Sequence, residues 1–195
     1  STGEYVFPSI RSSVTKSGAK LYMAHNFVVL FGEDAAMRGL GNYMDFFLRD
    51  HELRLDVNLL VAKGRAADIL DVDTGFQSIP SLHVKDLIKA QKQLSTGMDV
   101  TVFDFMNQLA SGRCAPLLPL IEIDDTSGED VLHMTGTAVF AEDKMIGELD
   151  GRETRGYLWV KDAVQEAVLV AESNQDKIGI EVLRSKGNIK AETDA

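Results

Sequence analysis

Cysteine, proline, tryptophan and positive charge are all scarce in this chain, and each scarcity excludes something. The one cysteine, Cys114, leaves no internal disulfide and no cysteine-built metal site. Nothing around it marks a reactive thiol, so a buried or inert side chain is expected. Four prolines occur among 195 residues, and neither an internal repeat nor a low-complexity segment is present. No apolar run approaches the roughly 18 residues of a spanning helix; the longest, 27–31, is strand-sized. Twenty Lys and Arg face thirty Asp and Glu, for a formal charge of −10. That balance argues against nucleic acid, whose phosphates need clustered cations, and against adhesion to an anionic bilayer. An initiating methionine is missing, as is a charged and then apolar leader. Both ends stop partway through apparent structure, which points to an excised segment of a longer protein.

What remains is an ordinary globular composition, 45% hydrophobic and 26% charged, enough for one large or two small domains. The first nineteen residues are polar and suggest no element. Residues 26–31 form a strand ended by Gly32. Glu33 and Asp34 open a short helix through Arg38, with acidic side chains at the positive end of the dipole and Gly39 as a stop. Leu40, Tyr43, Met44, Phe47 and Leu48 follow helical spacing, so they define a core-facing stripe. Phe46 lies off that stripe, as an ordinary exposed aromatic or part of a contact surface.

Residues 54–62 alternate, with Leu55, Val57, Leu59 and Val61 on one face, as in a half-buried strand. A turn at 71–75 precedes a long helix over 81–94 with Pro80 at its first turn. Thr101 and Asp104 form a cap-like pair, and Val102, Phe105, Met106 and Leu109 give the buried face of the next helix. Residues 117–123 read as a strand that Pro119 pushes toward a sheet edge or a bulge. Residues 131–140 and 145–149 form a hairpin around Glu142-Asp143-Lys144, and two further strands are expected at 167–171 and 178–184.

The hairpin runs into Gly147-Glu148-Leu149-Asp150-Gly151-Arg152-Glu153-Thr154-Arg155-Gly156-Tyr157-Leu158-Trp159, which holds the only tryptophan. Asp150 and Glu153 have capping-box spacing. Arg152, Glu153 and Arg155 then project from the opening turns, while Leu158 and Trp159 carry apolar weight. Gly156 inside the helix costs about 1 kcal/mol relative to alanine, which suggests another backbone passing close by.

Reactive constellations are absent from the sequence. His25, His51, His83 and His133 are scattered rather than paired at ligand spacing, so zinc is not expected. His25 is expected to be hydrogen-bonded and structural, and His133 to share a hairpin face with Thr135 and Thr137. Gly39-Leu40-Gly41 lacks the third glycine of a dinucleotide loop and does not follow a strand directly. The acidic stretches 71–73 and 124–130 miss calcium-loop spacing and read as solvated loops. No catalytic, cofactor-binding or metal-binding residue is assigned.

Several segments nevertheless occur together in an ordered pattern. His25-Asn26-Phe27-Val28-Val29-Leu30-Phe31-Gly32-Glu33 is followed by Tyr43-Met44-Asp45-Phe46-Phe47-Leu48-Arg49-Asp50 and Val61-Ala62-Lys63-Gly64. Ala67-Asp68-Ile69-Leu70, Ile79-Pro80-Ser81-Leu82 and Phe105-Met106-Asn107-Gln108-Leu109 come next, then 116–122 and Gly136-Thr137-Ala138-Val139-Phe140. Leu149-Asp150-Gly151, Glu153-Thr154-Arg155-Gly156 and 180–186 complete the series. In this order they resemble the Ger(x)C family, the C subunits of bacterial spore germinant receptors, over nearly everything after Gly18. Members of that family are longer and carry a leader and a lipid-modified cysteine; Cys114 is internal and is not that anchor.

The resemblance implies a non-enzymatic lipoprotein subunit on the outer face of the inner spore membrane. It would work with integral-membrane A and B subunits, through a lipid anchor absent from this chain. No cofactor and no nucleic-acid partner is implied. The expected fold is α+β, with mixed or antiparallel sheets, short helices packed on them, and two partial or small domains. Residues 1–75 are assigned to the remainder of a first subdomain, 76–163 to a second, and 164–195 to the start of a C-terminal domain. Arg152, Glu153 and Arg155, with Phe46, are the candidate partner surface. A second reading is a module that binds a small nutrient directly, although no clustered aromatic and polar set supports it. A third is a hydrolase using carboxylates, which would require two close acids in an apolar pocket.

Overall fold

A computed structural model describes residues 25–187, apart from 50–52, 74, 76–78, 127, 129, 165, 174–175 and 184. The polar first nineteen residues, His51 and Arg184 lie outside the described residues. Two parallel strands, β1 (Val28–Gly32) and β2 (Asn58–Ala62), pair in register from Val28–Asn58 to Gly32–Ala62. β3 (Leu117–Asp124) lies parallel to β2 through Val61–Leu120 and Ala62–Ile121. β4 (Val131–Ala141) and β5 (Lys144–Asp150) add antiparallel, completing a sheet in the order β1-β2-β3-β4-β5. The helices are α1 (Glu33–Arg38), α2 (Gly41–Arg49), α3 (Ala66–Asp71), α4 (Pro80–Leu94), α5 (Val102–Ser111) and α6 (Gly151–Val160). A second, two-stranded sheet holds β6 (Ala167–Ser173) and β7 (Asp176–Val182). The expected α+β class is therefore found: a mixed sheet, short helices and a second small sheet. The boundary drawn at 75/76 falls between β2 and β3 of one sheet, and the boundary at 163/164 falls between α6 and β6.

Helices cover both faces of the large sheet. Phe31, Leu59, Val61, Leu118 and Leu120 pack with Ala36 of α1, Met44 and Phe47 of α2, and Phe105 of α5. Leu60, Ala62 and Ile121 face the opposite core, with Ile69 of α3 and Val84 and Ile88 of α4. β2 is therefore buried on both sides, and the expected half-buried strand from residue 54 is corrected: pairing begins at Asn58. Residues 55–57 form a turn before it, where the carbonyls of Leu55 and Val57 accept from the Phe103 and Val102 N–H groups at 2.9 Å. Covering a parallel strand on both faces removes the need for alternation.

Pro119 is not at an edge, because β3 has neighbours on both sides. Phe140 N–H donates to the Pro116 carbonyl, so even-numbered β3 residues bond to β4 and the Pro119 nitrogen faces β2. Registered pairs with β2 begin only at Leu120, just past the residue that has no N–H to donate. A bulge does occur one step on. Leu120 pairs with Gly136 and Ile121 with Met134, leaving Thr135 as the extra residue. Its consequence is a change of face. Leu132 and Met134 enter the α3–α4 core, whereas Ala138 and Phe140, of the same parity, enter the α1–α2–α5 core. Hence His133 and Thr137 do not share a face; His133 is exposed and Thr137 is fully buried.

The α2 stripe is also adjusted. Leu40, Met44 and Phe47 are buried, but Leu48 is 62% exposed. At about 100° per residue, Leu48 lies roughly 80° around the helix from Leu40, on the flank. Phe46 is half-buried against the core instead, edge-on to Phe47 with ring centroids 5.8 Å apart.

Candidate functional site

β5 passes directly into α6, and the junction is set by its own side chains. The Glu153 N–H donates to Asp150 Oδ1 at 2.7 Å, and the Asp150 N–H donates to Glu153 Oε2 at 2.9 Å. This reciprocal cap satisfies two donors that a helix start leaves open. It also turns the Glu153 carboxylate inward, toward the helix start. Just above it, buried Thr154 shares a hydrogen bond with Thr137 of β4, Oγ1 to Oγ1 at 3.0 Å. Leu158 packs with Val164 and Ala167 in a small third core that also takes in Tyr157, Met98 and Val182.

The approach that fixes this junction is at Gly136, not Gly156. A Cβ on Gly136 would sit 2.0 Å from the Leu149 carbonyl oxygen, and its φ of +156° is one that side chains rarely adopt. Gly156 has nothing within 4 Å of an added Cβ. The expected close backbone at Gly156 is therefore corrected; that residue opens onto a groove.

An open groove of about 930 Å³ runs between α6 and β6. Arg152, Arg155, Gly156 and Trp159 line its helix side, with residues 168–170 of β6 opposite. Arg152 is exposed and makes no ion pair among the described residues. Arg155 is half-buried, with Nη1 donating to the Val168 carbonyl at 3.4 Å and Nε covered without a hydrogen-bond partner among the described residues. Trp159 is 37% exposed at the rim. Of the four side chains nominated from sequence, Arg152 and Arg155 meet in this groove. Glu153 serves the cap. Phe46 belongs to the core on the other face of the sheet from Thr137.

A second arrangement was missed by sequence reasoning. Asp143, in the β4–β5 turn, docks on the start of α2: its carbonyl accepts from the Leu40 N–H at 2.8 Å. Its Oδ2 accepts from the Gly41 N–H at 2.9 Å. A Cβ at Gly39 or Gly41 would lie 2.7 or 2.9 Å from that oxygen. Gly39-Leu40-Gly41 is thus a cradle for the chain's own carboxylate. The glycine pair opening a helix was visible in the sequence, but its partner 102 residues away was not.

Other charged groups are internally engaged. Lys63, just past β2, lies 3.1 Å from Glu148 and 3.6 Å from Glu122. Partial burial pushes its pKa down, but hydrogen bonds and charge from Glu148 and Glu122 outweigh this and hold it above the ordinary lysine value. Glu33 Oε2 accepts from the Gly64 N–H at 3.1 Å, and the Glu33 N–H returns a bond to the Gly64 carbonyl at 3.0 Å. The Asp124 carboxyl is held below its usual value chiefly by the Thr126 hydroxyl and N–H. Cys114 is exposed, with Lys161 Nζ 3.8 Å from its sulfur. Among the described residues no group of three or more His, Cys, Asp or Glu is placed to hold a metal ion, and no helix is long and apolar enough to cross a membrane.

The chain itself belongs to a known lineage. Residues 1–123 match the family model of the spore germination protein N-terminal domain, and residues 135–195 match the spore germination B3/GerAC-like C-terminal model. The chain belongs to the spore germination B3/GerAC-like family. The first match ends within β3 and the second begins within β4, and the antiparallel pairing of those strands ties the two matched regions together. Bacillus subtilis (strain 168) supplies relatives: YfkR, whose name assigns it provisionally to spore germination, is 26% identical over 86% of this chain and 44% of its own length. Spore germination protein B3 from the same organism is 26% identical over 92% of this chain and 48% of its own length. The chain therefore spans less than half the length of these curated relatives. The crystal structure of the GerBC protein shares the fold, with a TM-score of 0.62 and 20% identity over 88% of this chain and 48% of that one.

Proposed function

We propose that this chain is part of the C subunit of a nutrient germinant receptor, acting as a non-enzymatic scaffold. In the full-length protein a lipid outside this chain would hold it on the outer face of the inner spore membrane, beside the integral-membrane A and B subunits. The observation that carries this reading is the match of two spore germination family models, in order, to residues 1–123 and 135–195. The internal engagement of Glu33, Lys63, Asp143, Asp150 and Glu153 supports a role in contact rather than in catalysis. Lipid anchoring supplies membrane affinity that a chain of net charge −10 lacks. Coupling within the receptor then requires that nutrient bind two states of the complex unequally, with this subunit favouring one of them.

Deletion of the gene in the spore-former that encodes it tests the reading. The expected result is normal spore yield, with loss of germination to one class of nutrient and reduced abundance of the co-encoded membrane subunits. Unchanged nutrient germination together with unchanged subunit abundance would overturn the proposal.

A further inference from the structure

Asp150-Gly151, at the passage from β5 into α6, is the only Asp-Gly pair in the chain, and Asn-Gly does not occur. Such a pair rearranges with water alone. The Gly151 nitrogen attacks Cγ of Asp150 and a C–N bond forms. One carboxyl oxygen leaves as water, taking the amide proton and a proton from solvent, and a succinimide ring remains. Water then opens the ring and returns the amide N–H and the proton. Opening at Cγ restores aspartate. Opening at the main-chain carbonyl gives isoaspartate, whose main chain runs through Cβ and Cγ. One water leaves and one returns, with no oxidant and no other reactant.

Local structure both favours and restrains this step. Gly151 has no Cβ to hinder its nitrogen, and as the first residue of α6 its N–H has no intrahelical acceptor. Against that, the Glu153 N–H donates to Asp150 Oδ1 at 2.7 Å, and the Asp150 N–H donates to Glu153 Oε2 at 2.9 Å. The main chain is set as well. A ψ of 177° at Asp150 puts the Gly151 nitrogen opposite the Asp150 nitrogen, and therefore staggered from Cβ. Ring closure needs that nitrogen nearly eclipsed with Cβ. The carboxyl must leave the cap and the peptide must rotate before the bond can form.

The product does not fit the fold around it. On the strand side, a Cβ at Gly136 would lie 2.0 Å from the Leu149 carbonyl oxygen and 3.1 Å from Asp150 Cα, so β5 ends pressed against β4. On the helix side, Thr154 is bonded to Thr137 of β4 at 3.0 Å, and Leu158 packs with Val164 and Ala167. A main chain longer by a methylene between these anchors must break one of them. Paired strands outlast a single hydroxyl–hydroxyl bond, so α6 is the part that moves.

We propose that Asp150-Gly151 is an isoaspartate-forming site held in check by the Asp150–Glu153 cap, and that its conversion releases α6 from β4. The cap thereby guards the covalent chain as well as the helix start. The reaction is intramolecular, so it calls for no partner and does not rest on the scaffold reading.

Storage of the purified chain in warm neutral buffer for weeks tests this, with tryptic peptide 145–152 followed by chromatography and by isoaspartyl methyltransferase labelling. The parent should accumulate isoaspartate at position 150 slowly. Glu153→Ala should do so about fivefold faster, the shift in opening expected when a capping interaction is lost. Glu153→Gln keeps an acceptor for the Asp150 N–H and should stay close to the parent. Gly151→Ala should suppress the reaction, because its methyl crowds the nitrogen while meeting nothing closer than the Thr96 carbonyl at 4.0 Å. Circular dichroism matching the parent chain confirms that the variants fold. The isoaspartate form, separated from Glu153→Ala, should keep its far-UV spectrum and shift the emission of Trp159, the only tryptophan, to longer wavelength. No isoaspartate at position 150 in Glu153→Ala, a rate equal to the parent's, a Glu153→Gln rate matching Glu153→Ala, or undiminished conversion in Gly151→Ala would each overturn the site. Unchanged Trp159 emission would overturn the release of α6.

Discussion

Asp143→Ala is the most informative single perturbation of this fold. The carboxylate caps α2 from a turn 102 residues away, accepting the Gly41 N–H at 2.9 Å. A capping side chain and its favourable placement at a helix N-terminus are together worth about 1–2 kcal/mol. The Leu40 N–H bond to the Asp143 carbonyl is main-chain and survives the change. Asp143→Ala should therefore lose about 1–2 kcal/mol, a fall in Tm of roughly 2–8 °C for a chain of this size. Asp143→Asn keeps an acceptor without the charge and should lose about half as much. Gly41→Ala makes the test sharper. In the parent its Cβ would fall 2.9 Å from Oδ2, displacing the carboxylate and forfeiting the cap. In the Asp143→Ala background the same alanine meets no carboxylate and brings only its helix preference, up to about 1 kcal/mol. Urea unfolding of the four proteins, followed by circular dichroism, should return a coupling energy of about 1–2 kcal/mol. A coupling near zero, or an Asp143→Ala protein within ~0.3 kcal/mol of the parent, would refute the cradle.

Gly136→Ala should cost more than about 4 kcal/mol and yield little folded protein, because its Cβ meets the Leu149 carbonyl at 2.0 Å; a soluble variant with near-parental urea midpoint would contradict that geometry. Gly156→Ala should instead raise stability by roughly 0.5–1 kcal/mol, since the helix interior gains alanine and nothing stands within 4 Å. A lower midpoint for that variant would mean that a backbone does approach Gly156. Lys63 predicts an alkaline effect. Its folded pKa is raised, so its contribution is complete below the unfolded lysine value of about 10.4 and fades as pH climbs through the folded value. The stability difference between the parent and Lys63→Met should hold steady at neutral pH and shrink above about pH 10.4; a difference constant into the alkaline range would count against the Glu122–Lys63–Glu148 bridge.

Local chemistry was legible wherever its partners lie within a turn of one another. The capping boxes at Thr101–Asp104 and Asp150–Glu153 join residues three apart, and both form. The hairpin about Glu142 and Asp143 and the Pro80 start of α4 follow from equally short-range rules. The ordered motifs that resemble the Ger(x)C family were legible for a different reason: they record descent and need no geometry. Three of the nominated surface residues, Arg152, Glu153 and Arg155, lie on one helix, as the spacing of the 150–159 segment predicts. That spacing did not reveal that Glu153 is turned into the cap or that Arg155 reaches Val168.

The sequence by itself determined most of the elements, the two capping boxes, the hairpin and the acidic balance, because each depends on neighbours or on a simple sum of charge; it did not show the helix at Ala66–Asp71. The tertiary structure alone decided which strands are buried on both faces, and it placed Phe46 against the core while leaving Leu48 outside. It also placed the bulge at Thr135, which sends Met134 and Ala138 to opposite cores despite their equal parity. The same holds for the seat of Asp143 on Gly41 and for the reach of Arg155 to the Val168 carbonyl. These contacts join residues far apart in the chain or depend on which surface covers a strand, and neither is encoded in local spacing. Pairing across such distances is settled only when the sheet closes and the two cores compete for the same side chains.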